Sequence, residues 1–205
     1  YGYQKIRKNV LAPGTFSLER HRLLWIYLKN ETDFFSATKK KVLHFAPEQA
    51  FYNQFKKIKK IDYTTTDLVS PLADVKADIC NLPFKDNEFD YIFCNHVLEH
   101  IPDDNKAMSE LFRVLAPNGI GIFQIPQDLS REFTFEDDSI ADPKERAKIF
   151  GQYDHVRVYG RDYFDKLREI GFNVTAIDYT KKLTKKEIDK YRLAQGELIP
   201  VCRKF

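Results

Sequence analysis

The chain is poor in the residues that staple or metallate small proteins. Its three cysteines, Cys80, Cys94 and Cys202, stand far apart among 205 residues. An odd count without a Cys-x-x-Cys pair excludes a disulfide framework and a complete cysteine-based zinc site, so a reducing, cytoplasmic setting is expected. Long apolar runs are missing too. The longest covers 23–28, far short of the roughly 20 residues a bilayer requires, and no membrane span is predicted. Neither charge dominates: Lys plus Arg number 33 against 30 for Asp plus Glu, and a net charge of +3 demands no nucleic-acid or membrane partner. Only 8 glycines occur, and neither Gly-x-Gly-x-x-Gly nor Gly-Lys-Ser/Thr is among the motifs, which argues against a phosphate-cradling loop. The chain opens on Tyr1 and its only methionine is Met108, so a trimmed start or targeting segment stays open.

What is present is an alternation of apolar strands and amphipathic helices. Ser17 and Glu19 begin a helical pattern over 18–30; VLHFA at 42–46 suits a strand covered on both faces, and Pro47 stops it. A helix follows at 49–57, a strand at 61–67, a short strand and turn at 76–84, and a buried strand at 89–98. Met108, Leu111, Phe112 and Leu115 recur at helical spacing over 104–115, and Pro117, Asn118 and Gly119 turn the chain into a strand at 119–126. The polar stretch 127–155, with a short helix over 144–150, reads as a lid or insertion. A helix at 162–170 ends at Gly171, and 172–179 with 197–205 form a closing antiparallel hairpin. The lysine clusters at 39–41, 56–60 and 181–186 read as solvated faces. Parallel neighbours need crossover helices, so the class is α/β, doubly wound, with an N-terminal helical extension over 1–38 and the main domain over 39–205.

Ligands of such sheets bind beyond the carboxyl ends of the strands. Those positions hold Ala46, Pro47, Glu48 and Gln49, then Asp67, then Asp78 and Ile79, then Asn95, His96, Glu99 and His100. Acids and amides prevail, and Glu48 would repel a phosphate, so a neutral or cationic nucleoside fits better.

VLHFAPE, TTTDL, ADICNLPFKDNEFDYIFCNHVLEHIPD and SELFRVLAPNGIGIFQIP together resemble the class I methyltransferases that use S-adenosylmethionine, over about residues 40–126. FGQYDHVRVYGRDYFDKLREIGFNV at 150–174 is similar to the region after the fifth strand in bacterial small-molecule members. The resemblance implies a Rossmann-like, seven-stranded, mostly parallel sheet with helices on both faces, S-adenosylmethionine as cofactor and a small-molecule methyl acceptor. It implies that Phe45, Ala46, Pro47 and Glu48 line the first cofactor loop. Asp67 and Leu68 would then bind ribose, Asp78 and Ile79 adenine, and Asn95 with His96 the methionine end. Here Ala46, Pro47 and Glu48 replace the family's glycine-rich loop, and Glu48 is a candidate to pair with the ligand's ammonium or to oppose its sulfonium charge.

Methyl transfer from a sulfonium is an in-line displacement, and a base is needed only when the acceptor must lose a proton. His155, matching the family's histidine, is the first candidate base, with His96 and His100 next. Arg20 or Arg22 is a candidate carboxylate clamp, and Phe133, Phe135, Phe150, Tyr153 and Tyr159 are candidate walls of an acceptor pocket. Some relatives carry a cysteine-bearing version of SLERHR that suggests a zinc knuckle; APGTFSLERHR lacks those cysteines, and no metal is predicted. Two alternatives stay open, a non-catalytic cofactor-binding or scaffold protein and an RNA methyltransferase; the oligomeric state is not legible.

Overall fold

A computed structural model describes residues 10–36 and 38–205. Most of the expected extension lies within them, while 1–9 and Ala37 fall outside the described residues. The elements run α1 (Glu19–Glu31), β1 (Lys40–Phe45), α2 (Gln49–Phe55), β2 (Ile61–Asp67), β3 (Val75–Lys76), β4 (Phe89–Cys94), α3 (Asp104–Val114), β5 (Leu115–Ile122), β6 (Phe135–Glu136), α4 (Pro143–Ile149), β7 (Arg157–Val158), α5 (Tyr163–Ile170), β8 (Asn173–Asp178), α6 (Lys185–Tyr191) and β9 (Leu198–Arg203).

Seven strands make one sheet in the order β3-β2-β1-β4-β5-β9-β8. β1 to β5 pair in parallel, and β9 alone runs against its neighbours β5 and β8. The chain steps outward from β1 to β2 and β3, then returns to β4 on the other side of β1. The switch point, and the crevice it opens, therefore lies between the carboxyl ends of β1 and β4.

Each face of the sheet has its own core. Leu43, Phe45, Ile92 and Cys94 pack with Met108 and Leu111 of α3 and with Tyr163 and Leu167 of α5. On the other face Val42, Tyr91 and Phe93 meet Leu23, Leu24, Tyr27 and Leu28 of α1 and Phe51 and Phe55 of α2. Alternate residues of β1 and β4 thus serve opposite faces, as the two-residue period of a strand requires. Helix α1 is built into this second core.

The expected strands differ from the observed ones mainly at their ends. β1 stops at Phe45 because Ala46 turns to φ 43°, and β4 stops at Cys94 because His96 turns to φ 55°. The predicted turn at 117–119 lies inside β5 as a bulge: Phe89 pairs with Leu115 but Tyr91 already with Ile120, and Asn118 sits at φ 62°. Gly171 closes α5 at φ 117°, as expected of a C′ glycine.

The lysine stretch 181–186 differs more. It enters α6, whose Thr184 and Glu187 form a capping box, with the Thr184 hydroxyl accepting from the Glu187 amide. Lys40, Lys41 and Lys182 are also engaged, in ion pairs with Asp33, Glu88 and Glu31. Within the polar insertion and just after it, β6 and β7 form a separate antiparallel pair that no periodicity announced. The three cysteines are free, and among the described residues no helix is long and apolar enough to cross a membrane.

Candidate functional site at the carboxyl ends of the central strands

The loop after β1 carries the most connected group of the site. Glu48 Oε1 accepts from Arg20 Nη2 at 3.0 Å and lies 2.6 Å from His21 Nε2, while Oε2 accepts from Asn95 Nδ2 at 3.3 Å. His21 Nδ1 accepts from the Leu18 amide at 3.0 Å, so the ring proton resides on Nε2 and is donated to Glu48. Burial opposes ionisation of Glu48, but the His21 hydrogen bond and the Arg20 charge outweigh it and hold the carboxyl well below its ordinary range. The carboxylate is therefore committed internally, which corrects the expectation of a Glu48 free to pair with the ligand's ammonium.

Ala46 occupies a left-handed turn at φ 43° in which the missing Cβ of glycine would remove about 1–2 kcal/mol of strain. The Ala46 amide donates to the Thr66 carbonyl at 2.9 Å, fastening the turn to the end of β2.

Asn95 bridges the crevice. Buried at the end of β4, it accepts from the Gln124 amide at 3.2 Å through Oδ1 while donating to Glu48. The His96 amide donates to the Gln124 carbonyl at 2.7 Å, and His96 Nδ1 lies 3.4 Å from Glu99 Oε1. At the end of β2, Asp67 Oδ1 accepts from the Val69 and Ser70 amides at 2.8 and 2.7 Å, which shapes the loop bearing Leu68, itself 65% exposed. Asp78 Oδ1 accepts from the Cys80 amide at 2.8 Å, and the Ile79 side chain is buried in the core beside it. Both aspartates thus hold local turns with one oxygen. Phe45 is buried, and Pro47 is half-buried between Ala46 and Glu48.

Several polar atoms here are buried without a hydrogen-bond partner: Arg20 Nε, Thr66 Oγ1, His96 Nε2, Glu99 Oε2 and both side-chain atoms of Gln124. Buried polar groups are normally satisfied, so a cluster of exceptions is what a polar-ligand site presents. Thr66 and Gln124 are not among the expected binding residues, and Glu99 stands at an expected ligand-facing strand end without an assigned role. A sign was available for Gln124, which follows the apolar run of β5 at the level of the crevice.

His155 is buried, with Nδ1 3.1 Å from the Phe150 carbonyl, and its ring meets His100 edge-on at 4.7 Å between centroids. Burial pushes the His155 pKa down against the pull of the Phe150 hydrogen bond and Glu99. His100 Nδ1 lies 3.3 Å from Asp154 Oδ2. His96, His100 and His155 therefore gather around Glu99. Among the candidate pocket walls, Tyr159 and Phe150 are core residues, and the Tyr159 hydroxyl donates to Asp104 at 2.8 Å. Phe133, Tyr153 and Phe135 are the exposed ones, at 69%, 63% and 36%. Arg22 is spent on backbone carbonyls of Ser17, Val10, Tyr191 and Arg192, which removes it as a clamp and leaves Arg20.

Beneath the crevice, His44 is buried with Nδ1 2.7 Å from the Tyr63 hydroxyl, and burial lowers its pKa to about 4. The folded state refuses a proton that the unfolded chain accepts below about 6.5, so stability is whole above that value and falls as pH drops toward 4. The expected loss across this window is roughly 3 kcal/mol. His155 adds a loss of the same sign, and Glu48 adds its own only below the ordinary carboxylate pKa. Denaturant titrations from neutral to acid pH check this: His44→Leu should flatten most of the slope, and an unchanged slope contradicts the assignment.

The arrangement is a doubly wound sheet with a polar crevice at its switch point. Residues 38–123 match the family profile described as a methyltransferase domain. The chain is 40% identical over 63 residues to demethylmenaquinone methyltransferase of Staphylococcus carnosus, spanning 31% of this chain and 26% of that protein. It is 31% identical over 110 residues to sterol 24-C-methyltransferase of Schizosaccharomyces pombe, spanning 51% and 27%. It thus spans about a quarter of the length of these relatives. A solved S-adenosylmethionine-dependent methyltransferase of Archaeoglobus fulgidus shares the fold at 14% identity, with TM-score 0.57 over 90% of this chain and 94% of that one. Residues 38–123 are thus similar to a methyltransferase domain, and the fold is shared with a solved S-adenosylmethionine-dependent methyltransferase.

Proposed function

We propose that this chain transfers a methyl group from S-adenosylmethionine to a small-molecule acceptor with an oxygen or nitrogen nucleophile, releasing S-adenosylhomocysteine. The observation that carries the reading is the set of unpartnered buried polar atoms on Arg20, Thr66, His96 and Gln124 around the switch-point crevice, within or beside the matched segment 38–123. When bound, the cofactor supplies an electrophilic methyl group on a sulfonium. The chain's residues then hold and orient it. Arg20 Nε faces the carboxylate end, as a charged donor next to a neutralised Glu48. Asn95 and His96 line the methionine end. Asp67 keeps Oδ2 for the ribose hydroxyls while Oδ1 shapes its loop, and Asp78 with the Ile79 backbone receives adenine.

His96, His100 and His155 are the groups available to orient or deprotonate the acceptor. The insertion 127–155 serves as the lid over them, with Phe133 and Tyr153 as its apolar contacts. The names of the relatives, which refer to a quinone and a sterol, support a small organic acceptor over RNA. Asp67→Ala should weaken cofactor binding by about 1–3 kcal/mol, the scale of hydrogen bonds to a charged group. Calorimetric titration of wild type and variant measures this, and equal affinities would remove Asp67 from the site.

A further inference from the structure

The strongest feature outside the cofactor crevice is the cluster on the turn after β4 and the end of the insertion. We propose that Glu99, His100 and His155 form a divalent-cation site with open positions for oxygen donors. A carboxylate oxygen of Glu99 and one ring nitrogen of each histidine lie within 4.8 Å of one another. Ligand atoms around a bound cation stand about 3–4 Å apart, given metal–ligand bonds of about 2.0–2.2 Å, so small side-chain shifts close the site.

Glu99 supplies a second, independent observation. It is 1% exposed, and Oε2 has no hydrogen-bond partner. A buried carboxylate oxygen left unpaired is costly, and a cation is the partner that repays it. Its other oxygen, Oε1, faces His96 Nδ1 at 3.4 Å, which joins the cation site to the methionine end of the crevice.

The outer groups are those that metal-binding histidines need. Nδ1 of His155 is held by the Phe150 carbonyl at 3.1 Å, and Nδ1 of His100 by Asp154 at 3.3 Å. Each contact leaves Nε2 as the ligating atom and fixes the ring. The backbone is fixed as well: the Val156 amide donates to the Glu99 carbonyl at 3.0 Å, and Arg157 donates to the carbonyls of Leu98, Ile101 and Pro102 on both sides of the turn. Two imidazoles and one carboxylate favour manganese, iron, cobalt or zinc over magnesium or calcium, which prefer oxygen alone. Three protein ligands leave positions free. Within the methyltransferase reading, on which this clause rests, a hydroxylated acceptor occupies them.

The test is titration of the metal-stripped protein with Co²⁺, read by visible d–d absorption. Wild type should bind one equivalent, and acetohydroxamate, an oxygen chelator, should shift the bands. Glu99→Gln and His155→Ala should each weaken Co²⁺ binding at least tenfold. His100→Ala, at a part-exposed position that tolerates truncation, should do the same without loss of fold by circular dichroism. Absent bands, or equal Co²⁺ affinity in wild type and His100→Ala, would overturn the site; bands unmoved by acetohydroxamate would overturn its open positions. Titration of the same metal-stripped protein with S-adenosylmethionine separates failure of this site from failure of the methyltransferase reading.

Discussion

Replacing Arg157 by alanine should cost about 3–5 kcal/mol of folding stability, the scale of breaking a buried charged network by removing one partner. Its guanidinium is 3% exposed and donates to the Leu98, Ile101 and Pro102 carbonyls and, at 2.8 Å, to Glu136. Asp104, also buried, lies 3.8 Å from it and keeps Lys166 at 3.0 Å. Truncation removes this donor from the Ile101 and Pro102 carbonyls, while the Leu98 carbonyl keeps the Ile101 amide and the Tyr159 hydroxyl, and it frees the turn that carries Glu99 and His100. Arg157→Lys retains the charge but not the planar fork, and should fall between wild type and alanine. Urea unfolding measures the three proteins; a loss below about 1 kcal/mol for Arg157→Ala would mean that the turn is held by other contacts.

The second large effect concerns turnover. His155→Ala should lower turnover about a hundredfold or more, the ordinary contribution of a positioned acid–base or acceptor-orienting group, with cofactor affinity unchanged. The split between rate and affinity follows from geometry. His155 lies beside Glu99, which faces His96, whereas Glu48, Asn95 and Asp67 stand at the strand ends themselves. Single-turnover rates with a competent acceptor, set beside calorimetry, check both halves. Near-normal turnover would remove His155 from the chemistry.

The sheet was legible because its central strands are nearly continuous apolar runs separated by helical spacing, a pattern that survives errors at individual boundaries. VLHFA and FDYIFC could serve both faces of a sheet only as parallel, covered strands, and they stand as β1 and β4. What the sequence left unread is mostly non-local. Nothing at Glu48 reports that Arg20 and His21, 28 and 27 positions away, will claim its carboxylate. The charge of SLERHR suggests a carboxylate clamp, whereas Arg22 serves backbone carbonyls. Tyr159 reads as a pocket wall from the sequence, but its ring is core because Asp104 is there to accept its hydroxyl's hydrogen bond.

Thr184 and Glu187 spell a capping box, yet the flanking lysines masked α6. β6 and β7 are two residues each, too short for any periodicity, and are held by the Glu136–Arg157 pair. The histidines of the acceptor side were singled out one by one. Their grouping around Glu99 depends on residues more than 50 positions apart and on a turn pinned by Arg157, and only the folded chain brings them together.

The central claim is that the crevice between β1 and β4 holds S-adenosylmethionine although Ala46, Pro47 and Glu48 stand where a glycine-rich loop is expected. Calorimetric titration of the chain with S-adenosylmethionine and S-adenosylhomocysteine, with NAD as the comparison ligand, tests it most directly. The account predicts micromolar binding of both sulfur nucleosides and none of NAD; failure of both to bind, or equal binding of NAD, would contradict it.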